Sequence, residues 1–148
     1  MSGGVYDSAL LVLDTNIVLD LWVFDDGAAQ PLRLALVERS VRWIATPAMR
    51  EELARVLTYP QIAPRLAFHG RQGGGVLDAF DAHAVLHAPA PKADITCKDP
   101  DDQKFIDLAV AHRALLLSKD ALVLAMRKRL QARGSDVLRG WMAATARP

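Results

Sequence analysis

Four carboxylates, Asp14, Glu52, Asp102 and Asp120, stand in four separated segments of the chain, each beside an element able to carry it to a common place. Asp14 directly follows the apolar run Ala9–Leu13, and Asp120 follows the apolar run Ala114–Leu117 by a short turn. Helical periodicity selects the other two. In a helix from Pro47 to Leu57 the apolar stripe is Met49, Leu53, Val56 and Leu57. At about 100° per residue Glu52 flanks that stripe, whereas Glu51 points to solvent. In a helix from Gln103 to His112 the stripe is Phe105, Ile106 and Ala109, and Asp102 lies in line with it. Asp107 is on the far face of that helix, Asp101 falls to one side, and Asp99 sits before the proline. Carboxylates brought close together repel unless cations or protons neutralise them. Hard oxygen donors without cysteine or paired histidine ligands favour Mg²⁺ or Mn²⁺ over zinc. Such ions lower the pKa of a bound water and clamp a phosphodiester. Each aspartate would serve equally well as a helix N-cap, so their convergence is an expectation rather than a reading.

The elements around these acids decide whether they can meet. Ala9–Leu13 lacks polar alternation, as a strand buried on both faces does. Helices are expected over Thr15–Phe24 and over Leu32–Arg39, the latter after Pro31. Val41–Ala45 reads as a second strand, and Thr46-Pro47 as a helix start. Tyr59–Gly75, with Pro60, Pro64 and three consecutive glycines, is expected to contain a mobile loop. Val76–His87 is expected to be helical, and Ala93–Thr96 to form a short edge strand. Asp99-Pro100-Asp101-Asp102 starts the helix Gln103–His112, which is followed by a strand at Ala114–Leu117 and a helix at Ala121–Leu130. A last short strand is expected within Asp136–Pro148. Strands alternating with helices predict a three-layer α/β sandwich with a mainly parallel central sheet. Ligand sites in such sheets lie at the carboxyl ends of the strands, where Asp14, Ser118 and Asp120 would stand.

Composition narrows the class. A chain of 148 residues, 51% hydrophobic, predicts one domain with a real core. No apolar run is long enough to span a bilayer, and the first residues lack the basic start of a signal peptide, so a cytoplasmic protein is expected. The single cysteine, Cys97, excludes an internal disulfide and reads as a small buried thiol. The net charge of +1 hides an asymmetry. Five acids against two bases occupy residues 94–107, and eight bases against two acids follow from Arg113 onward. Acids to hold cations beside bases to hold a polyanion suit phosphodiester chemistry, and Lys119, Arg127, Lys128 and Arg129 are the candidate nucleic-acid contacts. An ordinary mixed surface gives the same distribution. His83 and His87 would share a helix face, but without the glutamate of a zinc-protease motif they read as an ordinary pair, and His69 and His112 show no partner. The glycines of Gly70–Gly75 lack the Lys-Ser/Thr of a phosphate loop, and no nucleophile elbow is present. Trp22, Trp43 and Trp141 read as core or interface anchors.

Taken in order, Leu-Val-Leu-Asp14-Thr15-Asn16, Glu52 within Arg-Glu-Glu-Leu-Ala-Arg-Val-Leu, Asp99-Pro-Asp-Asp102-Gln-Lys-Phe-Ile-Asp-Leu-Ala, and Leu115-Leu-Leu-Ser-Lys-Asp120 resemble a PIN-domain ribonuclease. The resemblance covers about residues 9–125 of what would be a single PIN-like domain over 1–148. The run from Cys97 to Phe105 resembles the subgroup of toxins in type II toxin–antitoxin pairs. This likeness implies a Mg²⁺-dependent (or Mn²⁺-dependent) endoribonuclease that leaves 5′-phosphate and 3′-hydroxyl ends. Asp14, Glu52, Asp102 and Asp120 would hold the metal, with metal-activated water as nucleophile. Thr15, Asn16 and Ser118 would support them, Asn16 and Ser118 by orienting a carboxylate or the substrate. Ser118 departs from the usual threonine but keeps the hydroxyl. The likeness also implies a homodimer and a small antitoxin protein as partner. Two other readings compete. A haloacid-dehalogenase-like phosphatase also puts an aspartate after its first strand, but needs a second at the position of Asn16. A non-catalytic PIN-like scaffold binding RNA or protein would dispense with metal ligands, and all four candidate acids are present.

Overall fold

The computed structural model describes residues 9–68 and 73–141. Its centre is a sheet of five parallel strands: β1 (Leu10–Leu13), β2 (Arg42–Ala45), β3 (Ala84–Leu86), β4 (Leu115–Leu117) and β5 (Asp136–Leu138). Their spatial order is β3-β2-β1-β4-β5. Register is set by Leu11 opposite Trp43 and Leu115, by Ile44 opposite Val85, and by Leu116 opposite Val137. β1 is central, which explains its unbroken apolar run: Leu11, Val12 and Leu13 are buried. From β1 the chain builds outward to β2 and β3, then returns to the other side for β4 and β5. The order therefore reverses between β1 and β4, where an open α/β sheet forms a crevice at its carboxyl ends.

Helices flank the sheet: α1 (Thr15–Trp22), α2 (Gln30–Val37), α3 (Pro47–Val56), α4 (Ala63–Phe68), α5 (Gly73–His83), α6 (Gln103–His112), α7 (Ala121–Leu124) and α8 (Arg127–Gln131). Several starts are chemically marked. Asp14 caps α1, proline occupies the first turns of α2 and α3, and Asp120 caps α7 through the Leu122 and Val123 N–H groups. The helix α6 ends where Arg113 adopts a left-handed conformation, φ 51°. Its apolar face, Phe105, Ile106, Leu108 and Ala109, is buried.

Several expectations need correction. The segment Tyr59–Gly75, expected to contain a loop, also carries helix α4 and the first turn of α5. Ile62 and Leu66 enter the core, and Pro64 sits in the first turn of α4, where its missing N–H costs nothing. The glycine run lies in the first turn of α5, which Val76 and Phe80 anchor in the core, while residues 69–72, His69 included, lie outside the described residues. The helix expected to reach His87 stops at His83, and Ala84-Val85-Leu86 is the edge strand. The ladder to β2 captures those residues, although their types suit a helix as well. His83 and His87 therefore do not share a helix face. The His83 ring stacks on Trp22, and the His87 ring packs edge-on against His112. Ala93–Thr96 is not a strand. Asp107 accepts the Ala93 N–H, and Lys92 and Gln103 bond the Ile95 carbonyl, so side chains hold this stretch. The helix expected over Ala121–Leu130 is broken at buried Met126, whose backbone leaves the helical region. No helix among the described residues is long and apolar enough to cross a membrane.

Candidate metal centre

The carboxyl ends of β1 and β4 are tied together at Asp14. Its N–H donates to the Leu117 carbonyl at 3.0 Å, and its Oδ2 accepts from the Ser118 hydroxyl at 2.7 Å. The Asn16 N–H, at 3.4 Å, reaches Oδ1. Ser118 is fully buried and its oxygen also accepts the Asp120 N–H at 3.1 Å. A single hydroxyl thus orients Asp14 and fixes the backbone that presents Asp120. The Asn16 side chain is exposed at the rim, so its link to Asp14 runs through the backbone.

Glu52 comes from α3 on the other side of the crevice. Its Oε2 accepts from the Thr15 hydroxyl and its Oε1 from the Lys104 ammonium, each at 2.5 Å. Glu51, one residue earlier, is exposed. Lys104 also donates to the Asp101 carbonyl. This lysine has no place in the sequence reading. Its position two residues beyond Asp102 was the available signal, because the first turn of α6 faces the crevice.

Asp99, Asp102 and Asp120 can each offer an oxygen such that the three lie within 4.8 Å of one another. Asp99, set aside in the sequence reading, therefore joins the acids. Pro100–Asp102 is a 3₁₀ turn, capped by Asp99 through the Asp101 N–H at 3.0 Å. Residues three apart eclipse in such a turn, so Asp99 and Asp102 share a side. The Asp99-to-Asp102 spacing across a proline was the overlooked signal.

The acids sense each other. Burial pushes Asp14 above the ordinary carboxylate range; the Ser118 and Asn16 hydrogen bonds pull it back, and the charges of Glu52 and Asp120 push it further up. Asp102 is pushed up to about 7, first by desolvation and then by the charges of Asp14, Asp120, Asp99 and Glu52. A group of hard, mutually repelling oxygens that favours uptake of a proton is equally suited to a divalent cation. Asp99, Asp102 and Asp120 form the tightest set, with Asp14 and Glu52 beside them.

The basic candidates separate. Lys119 stands between Ser118 and Asp120 at the rim and pairs with buried Asp20 at 2.6 Å. Arg127 pairs with Asp136 at the first residue of β5, the end of the strand away from the acids. Lys128 and Arg129 are exposed on the same short helix. The structure thus brings Lys119, but not Arg127–Arg129, to the acid rim. Cys97 is buried, its N–H held by Gln103 at 2.7 Å, and burial raises its thiol pKa, so the reactive thiolate is disfavoured.

Against this geometry, the PIN domain family model matches residues 10–121, from the start of β1 to the residue after Asp120. The chain belongs to the PIN domain family. An uncharacterized protein of Methanocaldococcus jannaschii is 23% identical over 117 residues, covering 79% of this chain and 74% of that protein. PIN domains are generally metal-dependent nucleases, and the carboxylates of this one suit a divalent ion in the crevice.

Proposed function

We propose that this PIN domain is a Mg²⁺- or Mn²⁺-dependent endoribonuclease and the toxin of a toxin–antitoxin pair. The observation that carries the reading is the meeting of Asp99, Asp102 and Asp120 within 4.8 Å, at the crevice that also holds Asp14 and Glu52. Asp102 and Asp120 would hold the cation with Asp14 and Glu52, and Asp99 joins them as a fifth donor. When bound, the ion supplies an activated water and charge neutralisation at the phosphodiester. The residues do the rest. Ser118 holds the Asp14 carboxylate at a fixed angle, and Thr15 does the same for Glu52. Lys104, paired with Glu52, balances negative charge until a cation and a polyanion arrive. RNA as substrate, the antitoxin partner and the homodimer rest on the resemblance of the motifs, the toxin role on the run from Cys97 to Phe105, and a cytoplasmic setting on the sequence pattern.

The test is cleavage of labelled single-stranded RNA by the purified chain in Mg²⁺, Mn²⁺ or EDTA, with Asp14→Asn as control. Cleavage dependent on both metal and Asp14 supports the nuclease. Cleavage indifferent to EDTA or to Asp14→Asn overturns it. Neither cleavage nor metal binding would favour the non-catalytic scaffold. Co-purification with a small protein whose removal releases activity tests the toxin assignment.

A further inference from the structure

Beside the acid rim lies a pocket of about 420 Å³, within the ~300–1,000 Å³ range of small-molecule sites. Ile17, one turn along α1 from Asp14, forms one wall, and Leu117, the last residue of β4, another. Asp20 and Lys119, joined at 2.6 Å, add a charged pair. Beyond β5, Arg139 and Trp141 complete it. The site and the pocket share a backbone: Ser118 and Asp120 face the acids, and Lys119 between them lines the pocket.

We propose that this pocket receives one nucleobase of a single-stranded nucleic acid whose phosphodiester lies at the acid rim. Three observations select that occupant. The lining is mostly apolar yet carries both signs of charge, Asp20 and Asp26 against Lys119 and Arg139. A base has apolar faces and an edge of both donors and acceptors, which such a lining matches. A free phosphate calls for an excess of cations, and an alkyl chain for no charge at all. Next, Trp141 supplies an aromatic wall of the kind on which bases stack regardless of sequence. Finally, the single-residue alternation at 118–120 puts base and backbone sites side by side. The role in cleavage rests on the nuclease reading; the binding does not.

The experiment titrates the full chain in EDTA with each of the four ribonucleoside monophosphates and with ribose 5-phosphate, following absorbance-corrected tryptophan emission. Trp22 and Trp43 are buried, so quenching by a ligand reports Trp141. Saturable quenching is expected from at least one nucleotide and none from ribose 5-phosphate. Ala28→Phe, at an exposed wall position where added bulk fills the cavity, should weaken binding by about tenfold. Lys119→Gln, read by calorimetry, gives an independent second variant. Equal quenching by ribose 5-phosphate, no binding of any nucleotide, or binding untouched by both variants overturns the proposal. If nucleotides bind as expected but RNA is never cut, the pocket stands and the nuclease reading falls. If RNA is cut and no nucleotide binds, the reverse holds.

Discussion

Replacing Asp102 by asparagine should make the metal-free protein more stable, not less. Asp102 is half-buried among four other carboxylates, and its pKa is pushed from 3.8 up to about 7. The folded value lies above the unfolded one. Between those values the folded chain keeps a proton that the unfolded chain has lost, so stability falls as pH rises towards 7. The stability is fully present below the unfolded pKa and is gone above the folded one. Taken whole, that rise corresponds to roughly 4 kcal/mol. Because the side chain remains partly in water, screening lowers the expectation to about 1–2 kcal/mol. Asparagine keeps the shape, and the structure shows no side-chain cap hydrogen bond for Asp102 to lose. The assay is thermal unfolding in EDTA at about pH 5 and about pH 8, with wild type and Asp102→Asn side by side. At the higher pH the variant should melt ~3–6 °C above wild type, and the gap should close at the lower pH. Saturating Mg²⁺ should reverse the order, because only wild type has the full set of oxygens to gain from the ion. A variant that is less stable than wild type in EDTA at high pH, or a gap independent of pH, would refute the idea that burial, together with carboxylate repulsion, disfavours the charged Asp102 at this rim.

Three further outcomes are expected. Ser118→Ala removes the buried hydrogen bond to Asp14 and the acceptor for the Asp120 N–H; it should cost about 1–3 kcal/mol in urea unfolding near neutral pH and raise the Asp14 pKa further, whereas Ser118→Thr should recover most of the loss. Glu52→Gln should lower metal-dependent cleavage by at least ~10-fold and Glu51→Gln should leave it near wild type, because only Glu52 faces Thr15 and Lys104; equal losses in steady-state rates would show that the helix face is irrelevant. Lys104→Met takes the competing cation off Glu52, so calorimetry should show tighter Mg²⁺ binding together with lower stability in EDTA.

Much of the fold follows from local pattern. β1 is legible because a central parallel strand is buried on both faces and so carries no polar alternation. The helix α3 is legible because Thr46-Pro47 starts it, and its phase then puts Glu52 inward and Glu51 outward. Asp14 and Asp120 are legible twice over, as strand followers and as N-caps. Tertiary structure decided the rest. Ala84-Val85-Leu86 is a strand only because the β2 edge offers unpaired backbone groups, and no local preference encodes that neighbour. The nearness of Asp99 to Asp120, the grip of Lys104 on Glu52, and the pocket between Ile17 and Trp141 join residues far apart in the chain. Sequence periodicity fixes which face a side chain takes; which other face lies opposite is set only when helices and strands pack around a common core.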